Sequence, residues 1–171
     1  KSFLQRAAAV GCRTLVLTCD AMVLGNREWD RRSFARPRQL TWRNKFDVVR
    51  HPRWLKQVMW PSGLPGMGNL EPYLPPSERN PLGSMAFIGK QMDTLLDWDM
   101  LARLRDQWGE LLLLKGVLHP ADVERAVVLG LDGVVVSNHG GRQLDGALGS
   151  LDALAAIAPQ AKGKLSLLLD G

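Results

Sequence analysis

Residues 133 to 145 read Gly133-Val134-Val135-Val136-Ser137-Asn138-His139-Gly140-Gly141-Arg142-Gln143-Leu144-Asp145. The apolar run of valines has the composition of a buried strand and is too short for a helix. Gly140 and Gly141 then punctuate the chain beside His139 and Arg142, where they let backbone approach closely or take a positive φ. A titratable imidazole and a guanidinium therefore stand just past the end of a buried strand. In a barrel of parallel strands, the carboxyl ends of the strands are where chemistry is built. Imidazole can remove a proton near neutral pH, and guanidinium can hold a carboxylate by two parallel hydrogen bonds. Together they suit a small carboxylic acid that must lose a hydrogen. Alone, a His near a loop is more often a surface or packing residue, so the flanking segments decide.

On the amino-terminal side, Pro120 starts a helix at its first position and Gly130 closes it. Leu111 to Leu114 is a buried strand that ends in Lys115-Gly116. A lysine at the end of an all-leucine strand must leave the core or meet a partner. It can snorkel, serve as a Schiff-base nucleophile activated by desolvation, or stand as a fixed cation beside a flavin. Residues 98 to 108 read as a helix with Asp97 as N-cap, and Trp98, Leu101, Leu104 and Trp108 at helical spacing read as core. Residues 2 to 10 read as a helix capped by Ser2 and stopped at Gly11. Thr14 to Thr18 is another buried strand. Asp20 follows at its carboxyl end and Arg27 comes later in a glycine-containing loop; alone, these two read as a surface pair. Toward the carboxyl end, Ser150 caps a helix from Leu151 to Ala158. Leu165 to Leu169 is the last strand, and Asp170-Gly171 follows it. Helices and strands alternating in this way make βα units and a parallel sheet covered by helices.

Residues 29 to 91 are the least regular part. Seven of the ten prolines fall between Pro52 and Pro81, and a connection this long is either functional or disordered. Within it, Trp54, Leu55, Val58, Met59 and Trp60 cluster beside Arg50, His51, Arg53 and Lys56. If helical, residues 53 to 60 expose an apolar, tryptophan-rich side with basic flanks, a composition that suits a membrane interface. The competing reading packs these side chains back on the barrel.

The 171 residues are enough for one domain with a real core. The net charge of +5 comes from 22 Lys and Arg against 17 Asp and Glu, which fits acidic substrates, anionic cofactors or an anionic membrane surface. No basic run with interleaved aromatics points to nucleic acid. Cys12 and Cys19 make no disulfide framework and have no metal-ligand spacing, so a reduced cytoplasmic setting is the default. Lys1 leads straight into a helix pattern and Gly171 directly follows an apolar strand, as expected of an internal piece of a longer protein.

Ser-Asn-His-Gly-Gly-Arg-Gln-Leu-Asp, residues 137 to 145, resembles the signature of the FMN-dependent enzymes that oxidise α-hydroxy acids, among them glycolate oxidase, lactate oxidase and bacterial mandelate and lactate dehydrogenases. Further blocks agree in order and approximate spacing: Leu17-Thr18-Cys19-Asp20 with Gly25-Asn26-Arg27-Glu28, then Leu114-Lys115-Gly116, then Leu169-Asp170-Gly171. The resemblance spans the whole chain, residues 1 to 171, but not the whole family domain. It implies an α/β fold, a partial (β/α)8 TIM barrel holding about the fourth to seventh strands. The long insert loop, 29 to 91, follows the fourth strand as in the membrane-bound bacterial members. The first three strands and the eighth would lie outside this chain, and residues 1 to 171 alone would be inactive.

The resemblance also implies roles. His139 would be the base, Asp20 the carboxylate supporting its imidazolium, and Arg142 with Arg27 the substrate-carboxylate clamp. Lys115 would be the cation at the flavin, with Thr18, Ser137, Asp170 and Gly171 as further FMN contacts. The substrate would be a small 2-hydroxy acid, mandelate- or lactate-like, and the electron acceptor a quinone, a cytochrome or oxygen. Family members are commonly homotetramers. The location would be cytoplasmic, with residues 53 to 85 as a peripheral contact on the inner face of the membrane. A Schiff-base barrel enzyme using Lys115 and a truncated module with a relic site are the competing classes.

Overall fold

A computed structural model describes residues 2–22, 25, 28, 34–36, 39–60, 63, 67–80, 83–84, 86–88 and 96–171. Among these, the strands are β1 (Thr14–Thr18), β2 (Phe34–Arg36), β3 (Gln39–Leu40), β4 (Leu111–Val117), β5 (Gly133–Val136) and β6 (Ser166–Leu169). The longer helical segments are α1 (Phe3–Ala9), α2 (Trp42–Val49), α3 (Pro52–Trp54, continued by a π turn over Leu55–Met59), α4 (Trp98–Gln107), α5 (Pro120–Val128) and α6 (Ser150–Ala161). The chain forms two compact units, one of Lys1–Asn26 with Asp93–Gly171 and one of Arg27–Met92.

In the first unit the helices begin where their caps dictate. Ser2 and Gln5 form a reciprocal capping box at α1. The Asp97 carboxylate accepts from Met100 N at 2.8 Å to open α4, and Pro120 occupies the first turn of α5. The start of α6 differs from expectation. Gly149 is the N-cap, and Ser150 is the first helical residue and is buried. The same helix runs past Ala158, through Pro159, to Ala161.

The sheet is parallel throughout, in the order β1-β4-β5-β6. Because strand side chains alternate, one face carries Leu15, Leu17, Leu112, Leu114, Val134, Val136 and Leu167. These pack against Leu101, Val123, Ala126, Ala153 and Ile157 from the helices. The other face carries Val16, Leu113, Val135 and Leu168, of which Val16 and Leu168 are exposed. Asp132 clasps the helical layer to the sheet: its Oδ2 accepts from Arg105 Nη1 and from Leu112 N, both at 2.8 Å. Strand β4 runs past Leu114 to Val117, and Gly116, at φ 101°, is the point where its register with β5 shifts.

The described residues of the second unit include regular elements despite its proline content. Strands β2 and β3 pair antiparallel, and Thr41 caps α2 by accepting from Asn44 N at 3.2 Å. In α2, Trp42, Phe46 and Val49 recur at helical spacing and are all exposed. In the segment that follows, Trp54 and Trp60 are exposed, while Leu55, Val58 and Met59 are half-buried. Among the described residues, no helix is long and apolar enough to cross a membrane.

Ile157 is fully buried on the sheet side of α6. Ile157→Ala should therefore cost about 2–5 kcal/mol of stability. Val128→Ala, at a residue 86% exposed, should stay within about 0.5 kcal/mol. Urea denaturation of the two variants checks the contrast.

Candidate active site

The polar groups expected to converge lie at the carboxyl ends of the parallel strands. Cys19 N donates to Lys115 O at 2.9 Å, which extends the β1–β4 ladder by one bond. The Cys19 thiol donates to the same carbonyl at 3.0 Å. Asp20 comes next, and its Oδ1 lies 3.1 Å from His139 Nδ1. The pair is largely sheltered, with side chains 16% and 29% exposed. Gly116 makes room for it, since a Cβ there would sit 2.7 Å from Asp20 Cγ. The other carboxylate oxygen, Oδ2, is buried and has no hydrogen-bond partner among the described residues.

A second cluster adjoins the first. Lys115 Nζ is ion-paired with Asp170 Oδ2 and donates to Ser137 Oγ at 3.1 Å. Ser137 Oγ lies 3.4 Å from Asp170 Oδ2 and accepts from His139 N at 3.0 Å. Asp170 N donates to Val136 O at 2.9 Å, so its position is an extension of the β5–β6 ladder.

The loop after β5 is wound left-handed: His139, Gly140 and Gly141 have φ of 59°, 64° and 67°. For the two glycines this is free of Cβ strain; for His139 it costs about 1 kcal/mol or more. Asn138 binds the turn together, accepting from Gly141 N at 3.2 Å and donating to Leu148 O at 3.3 Å. Arg142 follows with an exposed side chain, and no ion pair holds its guanidinium among the described residues. Gln143 Oε1 accepts from Gly25 N at 3.1 Å. Any Cβ on Gly25 would collide with Arg142 O, so Gly25 allows the two loops to touch. Gly171, at φ 122°, is likewise hemmed in by Asn138 Oδ1 and Ser150 Oγ, each 2.8 Å from where a Cβ would stand.

Asp20, Lys115, Ser137, His139 and Asp170 are thus joined by direct contacts. Thr18 is the register partner of Lys115, and Arg142 and Gly171 extend from the same strand ends. Arg27 lies outside the described residues. Cys19, Gly116 and Gln143 were not singled out by sequence reasoning for these contacts. All three stand inside the family-like blocks at 17–20, 114–116 and 137–145, which is the one signal the sequence carries for them.

Burial, reinforced by the neighbouring Asp20 charge, pushes the Cys19 thiol up to about 11. At pH 8 only about one thiol in a thousand is then thiolate, the reactive form. Cys12 is exposed. Iodoacetamide at pH 8 should label Cys12 and leave Cys19 unmodified, with Cys19 labelling emerging only as the pH approaches 11; peptide mapping checks this.

Comparisons with known proteins bear on the family and the fold. The family model for FMN-dependent dehydrogenases matches residues 1–171. The chain is 41% identical to an L-lactate dehydrogenase of Alcaligenes faecalis over 177 aligned positions, covering 99% of this chain and 45% of that protein. The crystal structure of the monotopic membrane protein (S)-mandelate dehydrogenase superposes with a TM-score of 0.86 at 35% identity, covering 98% of this chain and 44% of that one. A mandelate oxidase structure superposes with a TM-score of 0.65 at 28% identity, again over 98% of this chain and 38% of the other. The α/β sheet and its helices therefore match the barrel of these enzymes, and the chain spans under half the length of the relatives it matches. With its whole length matched and its strand ends carrying the polar cluster described above, the chain belongs to the FMN-dependent dehydrogenase family.

Proposed function

We propose that the intact protein containing this chain oxidises a small 2-hydroxy acid, of the lactate or mandelate type, to the 2-oxo acid with FMN as cofactor. The observation that carries this reading is the Asp20–His139 contact beside the Lys115–Ser137–Asp170 cluster, at the carboxyl ends of neighbouring strands. These residues fit the cofactor. Lys115 offers a cation and Thr18 a hydroxyl, while Ser137 and Asp170 hold the Lys115 ammonium beside them. When bound, FMN supplies a two-electron acceptor.

Asp20 holds His139 by Nδ1, which leaves Nε2 available to take a proton from the substrate. Arg142, with its guanidinium exposed, binds the substrate carboxylate, and Arg27 assists it. Lys115 would set its ammonium beside the bound cofactor, where a cation would offset negative charge. Its ion pair with Asp170 disfavours the Schiff-base alternative, which needs a free amine.

The second unit is read as a peripheral membrane contact on the cytoplasmic side. Between Trp42 and Trp60 stand five basic residues (Arg43, Lys45, Arg50, Arg53, Lys56) against one acidic residue, Asp47. Trp42, Phe46, Val49 and Trp60 are exposed beside them. Apolar side chains with basic flanks suit an anionic lipid surface. The similarity to a monotopic membrane protein supports this. The exposed apolar side chains of α2 extend the contact on the amino-terminal side of the 53 to 85 span expected from sequence.

Two outcomes are expected. His139→Gln should keep FMN bound while the rate of flavin reduction by substrate falls about 100-fold or more; reduction at the unmodified rate would overturn the role of His139. The double variant Trp42→Ala/Phe46→Ala should lose about tenfold or more of its partition onto vesicles containing phosphatidylglycerol. Unchanged sedimentation with those vesicles would rule the helix out as the contact.

A further inference from the structure

We infer that Ser137 is a positioning residue whose hydroxyl sets His139 and Lys115 in fixed relation to each other. Its side chain is fully buried. A hydroxyl has one proton to give and two lone pairs to offer. Here all three are used: Oγ accepts from Lys115 Nζ at 3.1 Å and from His139 N at 3.0 Å, and its proton faces Asp170 Oδ2 at 3.4 Å. With its proton and both lone pairs engaged, the hydroxyl cannot rotate without breaking a bond.

The bond to His139 N has a particular consequence. It closes a turn from residue 137 to residue 139, and residue 139 is the one non-glycine residue at positive φ among the described residues. A side-chain oxygen bonded to the amide two residues on is a known way to hold a turn. Asp20 fixes the imidazole of His139 from one side, and Ser137 fixes its main chain from the other. The same oxygen tethers the Lys115 ammonium. One atom thus links the group proposed to take the proton with the group proposed to offset charge on the cofactor. Alanine would remove only that atom, leaving His139 N–H without its acceptor and the Lys115 ammonium with Asp170 alone.

This rests on the reading of His139 as the base, so the test separates the two. In the intact holoenzyme, hydrogen exchange at His139 N–H is measured first, and slow exchange is expected. Ser137→Ala should speed that exchange at least tenfold and lower kcat at least tenfold, with KM within threefold and FMN still bound. Ser137→Thr, which keeps the hydroxyl, should restore both readouts. The inference is overturned by unprotected exchange at His139 in the unmodified protein, whatever the variants do. Unchanged kcat in Ser137→Ala overturns it too, as does a defect confined to FMN affinity, which would make Ser137 a cofactor contact only. Failure of the unmodified protein to oxidise any 2-hydroxy acid would sink the functional reading instead, with the exchange result still standing.

Discussion

The parallel register of β1, β4, β5 and β6 is the constraint on which the rest depends. It sets Thr18, Lys115, Val135 and Leu168 in one row across the sheet. Strand side chains repeat every second residue, so the next positions on that face are Asp20, Ser137 and Asp170. Slipping one strand by a residue would send its polar tip to the helical side and an aliphatic side chain to the mouth. The buried row on the other face, Leu17, Leu114, Val134 and Leu167, resists such a slip because it belongs to the hydrophobic core. The core thus holds the site in place from the opposite face of the sheet. Strand β4 departs from the pattern. Its register shift at Gly116 ends the regular alternation just after Lys115, and the absent Cβ leaves space for the Asp20 carboxylate.

Polar groups gathered in a sheltered place must satisfy one another, because leaving one unpaired is costly. Most of this cluster does so. Ser137 uses its full capacity, Lys115 and Asp170 pair, and Cys19 gives its proton to the carbonyl beneath it. That last bond belongs with the high thiol pKa: a thiol held neutral by burial remains a donor and stays out of the chemistry. Asp20 Oδ2 is the exception.

The Arg27–Met92 unit follows a different logic. Large apolar side chains on α2 face outward instead of into a core. Lys45 lies over the ring of Trp42 and Arg50 over the ring of Phe46, at 4.6 and 5.9 Å from the ring centroids. Cations stacked on exposed aromatics keep both groups at one surface.

The alternation of strands and helices, the strand-end identities of Asp20, Lys115 and His139, and the family signature in residues 137 to 145 were all legible in the sequence. Each is written in short-range pattern: a run of aliphatics, a cap, a glycine, a polar residue after the run. Helix α2 was less legible because its apolar residues face outward inside a segment dominated by prolines and glycines. Only the tertiary structure decided which polar tips meet. The contact between Asp20 and His139 spans 119 positions, and that between Cys19 and Lys115 spans 96. No local pattern encodes such distances. They follow from strand order and register, which the packing of the whole helical layer selects.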